Sequence, residues 1–167
     1  HTSNPGTVSR TPGGVGRNIA EVIARLGGRV HLVAAVGADP AGRDLLARTS
    51  EAGVYVDQVA ASSHPTGSYL AALDNDGELV IGISDFAATD SLDVADVARS
   101  SELIARAQVV VIDGNIPAAV AGWALAVAAS AGVRVVLEPV SVAKAARMAP
   151  LLTPATSVHA ITPNVDE

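Results

Sequence analysis

The sequence predicts an α/β fold with a doubly wound, largely parallel sheet. Short runs at residues 31–36, 109–113 and 133–138 are apolar and β-branched, which is typical of strands buried on both faces. Helical patterns alternate with these runs, and this alternation favours parallel strands joined by helices. Aromatic residues make up only 2% of the 167 residues, so the core must be built from Ala, Val, Leu and Ile. A chain of this length is expected to form one domain.

Caps and turn residues indicate where the helices begin and end. Apolar residues share one side of residues 17–26, and Gly27 and Gly28 can end that helix in a left-handed conformation. Pro40 lies at the entry of a second predicted helix at residues 41–52. The remaining predicted elements are a helical region at 93–107 with Asp90 or Ser91 as its cap, helices at 117–131 and 142–152, and a final short strand at 157–161.

Two segments interrupt this alternation, at residues 66–73 and 79–84. They flank the sequence DNDG, whose Asp-Gly end favours a β-hairpin. A further short polar strand is predicted at residues 7–11, after a turn at residues 4–6. Together these segments are expected to form an antiparallel accessory sheet beside a single α/β core.

The composition argues against several classes of function. Eleven Lys and Arg against seventeen Asp and Glu give a net charge of −6, which disfavours nucleic acid as a partner. The absence of Cys excludes disulfides and thiolate metal sites. No apolar run approaches the roughly 20 residues needed to cross a bilayer, so no membrane partner is expected. These observations predict a soluble cytoplasmic α/β protein.

The glycine-rich segment TPGGVGRN at residues 11–18 opens a predicted helix. Glycines at such a position let backbone amides approach a ligand, and the helix N-terminus favours anionic groups. A dinucleotide fingerprint would need a third glycine where Ile19 stands, and no Gly-Lys-Ser/Thr follows as in a P-loop. Spacing alone leaves a tight turn and a ligand site equally open.

Other polar residues also carry two interpretations. Asp39 precedes Pro40 at a helix start, which favours a helix cap over a ligand-binding role. Asp113 and Asn115 follow a buried strand, where open α/β sheets bind ligands, but turn geometry explains them equally well. For Lys144, a solvated helix face is favoured over phosphate binding.

Several blocks, taken in order, resemble the PfkB-type (ribokinase-like) carbohydrate kinase family. The strings GGVGRNIA and ARLG resemble the first signature of the family, and VGADPAG resembles its Gly-x-Asp-x-x-Gly turn. The hairpin with its preceding Thr66-Gly67 resembles the lid strands, and TPNVDE matches the Asn-x-x-Glu motif. The resemblance implies that residues 1–167 form part of a single ribokinase-like kinase domain, with lid strands near 7–11 and 66–84.

Within this family, several further strings resemble pseudouridine kinases. They lie at residues 3–6, 69–74 with 77–79, 83–86, 113–117 and 138–144. The resemblance implies ATP-dependent phosphorylation of a sugar or nucleoside hydroxyl, the 5′-hydroxyl for a pseudouridine-like substrate. Ribokinase, adenosine kinase and a non-catalytic sugar- or nucleoside-binding half-domain stay open as alternatives.

The resemblance also implies roles for individual residues. The substrate-binding residues would be Gly13, Gly14, Gly16, Arg17, Asn18, Asp113 and Asn115. Asn18 would bind sugar hydroxyls from the first helical turn, the alternative being a capping contact. Asn164 and Glu167 would organise the phosphates of ATP, and Glu167 would hold Mg²⁺ through a water molecule. The implied cofactors are therefore ATP and Mg²⁺.

The family has two further elements that this sequence does not show. One is an earlier strand with a substrate-binding Asp, and the other is a Gly-Ala-Gly-Asp motif that supplies the anion hole and catalytic base. No Gly-Ala-Gly-Asp occurs between His1 and Glu167. We therefore expect an incomplete portion of a kinase, without phosphoryl transfer on its own and with the base beyond Glu167. Lid sheets in this family often pair between subunits, so a homodimer through the lid strands is also expected.

Overall fold

The computed structural model describes residues 6–156 and 158–167. The helices are α1 (Val15–Arg25), α2 (Pro40–Glu51), α3 (Ala87–Asp90), α4 (Val94–Val97), α5 (Ser101–Ala105), α6 (Ala118–Ser130) and α7 (Val142–Met148), with 3-10 helices at Ala98–Ser100 and Ala149–Leu151. The strands are β1 (Ala35–Gly37), β2 (Ala60–Ser62), β3 (Ser68–Leu73), β4 (Leu79–Asp85), β5 (Val109–Asp113), β6 (Arg134–Glu138) and β7 (Val158–Ile161). Within the described ranges, none of these helices has the length and apolar character that crossing a membrane requires.

A few sequence predictions fall outside the described ranges. Residues 3–5, which carry part of the predicted turn at 4–6 and part of the pseudouridine kinase resemblance, are not described. The first residue of the predicted last strand, Ser157, is likewise outside them, and that strand is described from Val158 onward.

The parallel strands form two sheets. Strand β1 pairs with β2, with Ala35 opposite Ala60, and strands β5, β6 and β7 pair in that order, with Val109 opposite Arg134. Helices connect the parallel strands, so the predicted α/β class is confirmed. Because parallel strands point the same way, the carboxyl ends of β5, β6 and β7 lie along one edge of their sheet. We call this the strand-end edge.

Strands β3 and β4 form the predicted antiparallel hairpin, with Tyr69 opposite Ser84. At its turn, Asp74 Oδ1 accepts from the Glu78 amide at 2.9 Å, and Gly77 has a φ of 85°. Gly77 stands where the turn needs the left-handed conformation that glycine adopts readily. Every residue of both strands is exposed, so the hairpin stands away from the rest of the described chain.

The strand predicted at residues 7–11 is not present. Residues 6–14 contain neither helix nor strand, and Val8 is 96% exposed. A strand is stable only when its backbone groups pair with a neighbour, and no other described segment pairs with this one. The prediction of a short polar strand at 7–11 is therefore wrong, and the described antiparallel sheet consists of β3 and β4.

The predicted strand at 31–36 and the predicted helix at 93–107 are both more broken than expected. Only Ala35–Gly37 forms a continuous strand in the first region, because its partner β2 is also short, and His31 makes an isolated bridge. In the second region, α4, a 3-10 helix and α5 follow one another. The cap is Asp93 instead of Asp90 or Ser91, since its side chain accepts from the Asp96 amide at 3.0 Å.

Helix α6 is the centre of the core. It is apolar on all sides, as expected of a helix covered by its neighbours, and its small residues allow close approach to the sheet. One side of it packs with β5, β6 and α7, and Val120 packs beside residues of β1 and β2. Trp123, predicted as a core residue, is partly buried and contacts both groups. The buried residues of α6 are Val120, Ala121, Ala124, Leu125 and Ala128.

We predict that Leu125→Ala destabilises the full-length protein by about 2–5 kcal/mol, because truncation of a buried leucine leaves a cavity. Leu125 is 1% exposed, whereas Leu26 is 83% exposed and provides a matched control. Leu26→Ala should change the unfolding free energy by less than about 0.5 kcal/mol. Urea denaturation measures the unfolding free energy of both variants. Equal losses of unfolding free energy would contradict the position of α6 in the core.

Candidate functional site

The glycine-rich segment contacts the end of strand β5. Gly14 is the N-cap of α1 with a φ of 96°, a conformation that favours glycine. Two residues later, the Gly16 amide donates to Asp113 Oδ2 at 2.8 Å. A Cβ on Gly16 would lie 3.3 Å from that oxygen, so the absence of a side chain permits the approach. This hydrogen bond joins the N-terminus of α1 to the strand-end edge.

The Asp113 carboxylate is used by the local turn as well. Its Oδ1 accepts from the Asn115 amide at 2.8 Å and from Asn115 Nδ2 at 2.6 Å. Asp113 and Asn115 are both half-buried. Turn geometry, one of the two interpretations of the sequence, is therefore present, and the same carboxylate also positions Gly16.

Arg17 organises the first turn of α1. Its side chain is only 10% exposed, and its Nε donates to the Gly13 carbonyl at 2.9 Å. Its Nη1 donates to Glu21 at 2.6 Å, and its Nη2 donates to Asn18 Oδ1. The Arg17 guanidinium, together with that of Arg25, lowers the pKa of the Glu21 carboxyl. Arg17 thus fixes both the loop before the helix and the Asn18 side chain.

Asn18 is exposed and lies in the first turn of α1, as predicted. The alternative of a capping contact is wrong, because the N-cap is Gly14 and no side chain caps this helix. The Asn18 amide oxygen instead accepts from Arg17. Gly13 is exposed, and a Cβ built on it would meet nothing within 4 Å. The surface formed by these residues therefore leaves room for a ligand to reach the backbone.

Helix α7 brings two basic side chains to the same edge. Lys144 Nζ donates to Asn115 Oδ1 and lies 5.7 Å from the centroid of the Phe86 ring. Arg147 Nη2 donates to the Gly114 carbonyl at 2.7 Å. The predicted solvated face for Lys144 is therefore wrong, because α7 places its first turn against the end of β5. Sequence reasoning missed Arg147, although its i,i+3 spacing from Lys144 puts both on one helix face.

The loop after β6 is held on both sides. The Gly114 amide donates to the Glu138 carbonyl at 2.7 Å, and Thr162 Oγ1 donates to Glu138 Oε2 at 2.5 Å. Val140 has a φ of 71°, which is strained for a β-branched residue. Its amide donates to Glu138 Oε1 at 3.1 Å. Glu138 therefore connects the loops that follow β5, β6 and β7.

Asn164 and Glu167 hold each other after β7. Asn164 Nδ2 donates to Glu167 Oε1 at 2.9 Å, and the Glu167 amide donates back to Asn164 Oδ1 at 3.1 Å. The Asn164 backbone amide also donates to Glu167 Oε2 at 3.2 Å, which with the hydrogen bond from the Glu167 amide completes the pattern of a capping box. Each Glu167 carboxylate oxygen accepts one hydrogen bond from Asn164 and retains a further lone pair. Hard oxygen donors of this kind suit a hydrated magnesium ion.

The predicted site residues thus form two groups on one edge. Residues 13–18 and 113–115 are brought together by the hydrogen bond from Gly16 to Asp113. Asn164 and Glu167 form the second group. This group follows β7 and is separated from the first group by strand β6, which lies between β5 and β7. The described side-chain hydrogen bonds join residues within each group and do not connect Asn164 with Asn18.

The interpretation of Asp39 as a helix cap is confirmed, since its side chain accepts from the Gly42 amide at 2.8 Å. It also accepts from the Thr66 amide at 2.8 Å and the Thr66 hydroxyl at 2.7 Å. These hydrogen bonds, those from Thr66 first, lower the pKa of Asp39 from 3.8 to about 2. A carboxyl whose pKa falls on folding stabilises the folded state above its unfolded pKa, and this contribution disappears as the pH falls toward 2.

Several proteins that are similar to this chain in sequence or structure are named as kinases. The chain is 40% identical over 163 residues to the pseudouridine kinase of Escherichia coli (strain K12), covering 97% of this chain and 50% of that protein. A solved carbohydrate kinase from Agrobacterium tumefaciens superposes with a TM-score of 0.79 at 28% identity, covering 90% of this chain and 50% of that one. The Arabidopsis thaliana ribokinase complexed with ribose and ATP superposes with a TM-score of 0.67 at 25% identity, covering 75% of this chain and 41% of that one.

These similarities confirm the ribokinase-like arrangement that the motifs indicate. The chain spans about half the length of the curated relatives it matches. The model of the pfkB family carbohydrate kinases matches residues 1–167, which include both groups of predicted site residues. The chain therefore belongs to the pfkB family of carbohydrate kinases.

Proposed function

We propose that the full-length protein transfers the γ-phosphoryl group of ATP to a sugar or nucleoside hydroxyl, with the 5′-hydroxyl of pseudouridine as the acceptor. The observation that carries this proposal is the hydrogen bond from Gly16 to Asp113, which sets an open glycine-rich helix start against the strand-end edge. Open α/β sheets bind ligands at that edge. The 40% identity with a pseudouridine kinase supports the choice of acceptor.

The acceptor is bound by the first group of residues. A ribose hydroxyl both donates and accepts hydrogen bonds, and the Asn18 amide can do both. Arg17 orients Asn18 through its amide oxygen, so the side chain loses little freedom when a ligand binds. Gly13 and Gly14 are exposed and leave the backbone accessible to the sugar. Asp113 fixes the position of this segment, because its carboxylate accepts a hydrogen bond from the Gly16 amide.

The phosphates of ATP are organised by the second group. Asn164 orients the Glu167 carboxylate, which would hold a water molecule of a bound magnesium ion. When bound, this ion neutralises charge on the transferred phosphoryl group. The exposed β3–β4 hairpin closes over the acceptor as a lid and excludes water, which would otherwise compete as an acceptor.

The base that takes the hydroxyl proton lies outside residues 1–167. Asp113 is an unsuitable base because its carboxylate already accepts three hydrogen bonds, from Gly16 and from two atoms of Asn115. Asp85, at the end of β4, accepts from the Ala87 amide at 3.2 Å and is therefore also engaged by the local turn. The family's Gly-Ala-Gly-Asp motif, which is not in this sequence, would supply the base and an anion hole.

Asn18→Ala should lower kcat/KM for pseudouridine by about tenfold or more, since a sugar hydroxyl left without its partner under the closed lid costs on the order of 1–3 kcal/mol. Steady-state kinetics of the full-length protein measure this effect. Ser50→Ala, an exposed polar position on α2, is the control and should leave kcat/KM unchanged. Equal kcat/KM values for Asn18→Ala and the unmodified protein would refute the acceptor site.

Glu167→Gln should lower kcat and raise the magnesium concentration needed for half-maximal rate, because a neutral amide holds a hydrated cation less well than a carboxylate. The KM for the nucleoside should change little. Asp166→Asn removes the same charge one residue away and should retain the original magnesium dependence. A defect confined to nucleoside KM would show that Glu167 acts on the acceptor instead.

Residues 1–167 expressed alone should transfer no phosphate from ATP to pseudouridine. The reason is chemical, because the Asp113 carboxylate already accepts three hydrogen bonds and the Gly-Ala-Gly-Asp motif that would supply a base and an anion hole does not occur in residues 1–167. The measurement compares nucleotide product formed by this segment and by the full-length protein under the same conditions. Turnover by the segment at a rate near that of the full-length protein would place the base within residues 1–167.

A further inference from the structure

The Asp39 carboxylate makes more contacts than a helix cap needs. Capping of α2 uses only its Oδ1, which accepts from the Gly42 amide at 2.8 Å. The same carboxylate accepts from the Thr66 hydroxyl at Oδ1 and from the Thr66 amide at Oδ2. Thr66 is 27 residues away in sequence and leads directly into strand β3. The extra contacts therefore join α2 to the first leg of the β3–β4 hairpin.

Thr66 is fixed from a second side as well. Its hydroxyl oxygen accepts from the Gly37 amide at 3.0 Å, at the end of strand β1. The next residue, Gly67, packs against Phe86, since a Cβ there would lie 3.2 Å from a ring carbon. Phe86 directly follows β4. The two legs of the hairpin thus meet the rest of the chain side by side, at residues 66–67 and 86.

We call residues 66–67 and 86 the base of the hairpin. Beyond it, the hairpin is exposed at every residue of both strands. Its orientation therefore depends on how the base is held. The second leg is held by packing of Phe86 against Gly67 and by Lys144, whose Nζ lies 5.7 Å from the ring centroid. The first leg is held by directional hydrogen bonds to a carboxylate, which are stronger than neutral ones. We call these hydrogen bonds between Asp39 and Thr66 the hinge contact.

We propose that Asp39 is a positioning residue for the phosphoryl transfer, because its hinge contact fixes the base about which the hairpin closes over the acceptor. This inference rests on the proposed function. A loosened hinge lowers the fraction of protein in the closed, binding-competent form. The apparent KM for the acceptor rises in inverse proportion to that fraction, whereas kcat at saturation changes little.

The test uses full-length variants that separate the hinge contact from capping. Thr66→Val has nearly the same shape but lacks the hydroxyl, and it leaves Asp39 free to cap α2. Thr66→Ser restores the hydroxyl. Asp39→Asn turns one carboxylate oxygen into an NH₂ donor, so the Gly42 amide at Oδ1 or the Thr66 amide at Oδ2 then faces a donor and loses its acceptor. Asp93→Asn is the matched control, since Asp93 caps α4 with the same side chain and contacts no part of the hairpin.

Thr66→Val and Asp39→Asn should each raise the acceptor KM roughly tenfold, the effect of about one charged hydrogen bond, with kcat within about twofold. Thr66→Ser and Asp93→Asn should remain close to the unmodified protein. In the absence of substrate, hydrogen–deuterium exchange of amides 68–85 should be about tenfold faster in the first two variants only.

Equal effects of Asp39→Asn and Asp93→Asn, or unchanged exchange in Thr66→Val, would overturn the inference. If Asp39→Asn does not fold, the comparison of Thr66→Val with Thr66→Ser decides the result, because both retain the α2 cap. If the unmodified protein phosphorylates no acceptor, the proposed function fails. The exchange experiment then still decides by itself whether the hinge contact holds the hairpin.

Discussion

The hydrogen bond from the Gly16 amide to the Asp113 carboxylate is the contact on which the site depends. It joins residues 97 apart in sequence and sets the start of α1 at the end of β5. The close approach explains the glycine at 16, and the carboxylate that makes it also shapes the turn to Asn115. A change at Asp113 would therefore disturb two segments of the predicted acceptor site together.

The rest of the strand-end edge is held by cross-links between neighbouring loops. Glu138 connects the loop after β5, through Gly114, with the end of β7, through Thr162. The strained backbone of Val140 lies inside this network, which is where strain persists when surrounding contacts over-determine the conformation. Arg147 adds a further contact to the Gly114 carbonyl. The edge is thus well suited to hold ligand groups in one geometry.

The β3–β4 hairpin contrasts with this edge. All of its strand residues are exposed, and its described side-chain contacts with the rest of the chain are concentrated at its base. A rigid edge beside an exposed hairpin suits a reaction in which the acceptor must enter and then be shielded from water. The Asp39 carboxylate connects the base of the hairpin with α2, because its Oδ1 accepts from both the Gly42 amide and the Thr66 hydroxyl.

The sequence by itself determined the features that depend on local periodicity and on motifs. Helix α6, strands β5 and β6, the DNDG hairpin and the cap at Asp39 follow from patterns within a few residues, and the ordered motifs indicated the family. Tertiary structure alone decided the contacts between distant segments. Lys144 lies near its partner Asn115 only because α7 packs across the end of β5, 29 residues away in sequence.

The same physical reason accounts for the incorrect predictions. Residues 7–11 follow a predicted turn as a strand could, but strand formation requires a partner that no local pattern can specify. Strand β2 and helix α3 span only 3 and 4 residues, too few to show a period, and neighbouring segments stabilise them. Motifs in the sequence singled out most of the candidate site residues, whereas the hydrogen-bonding partner of each depended on which segments the fold brings together.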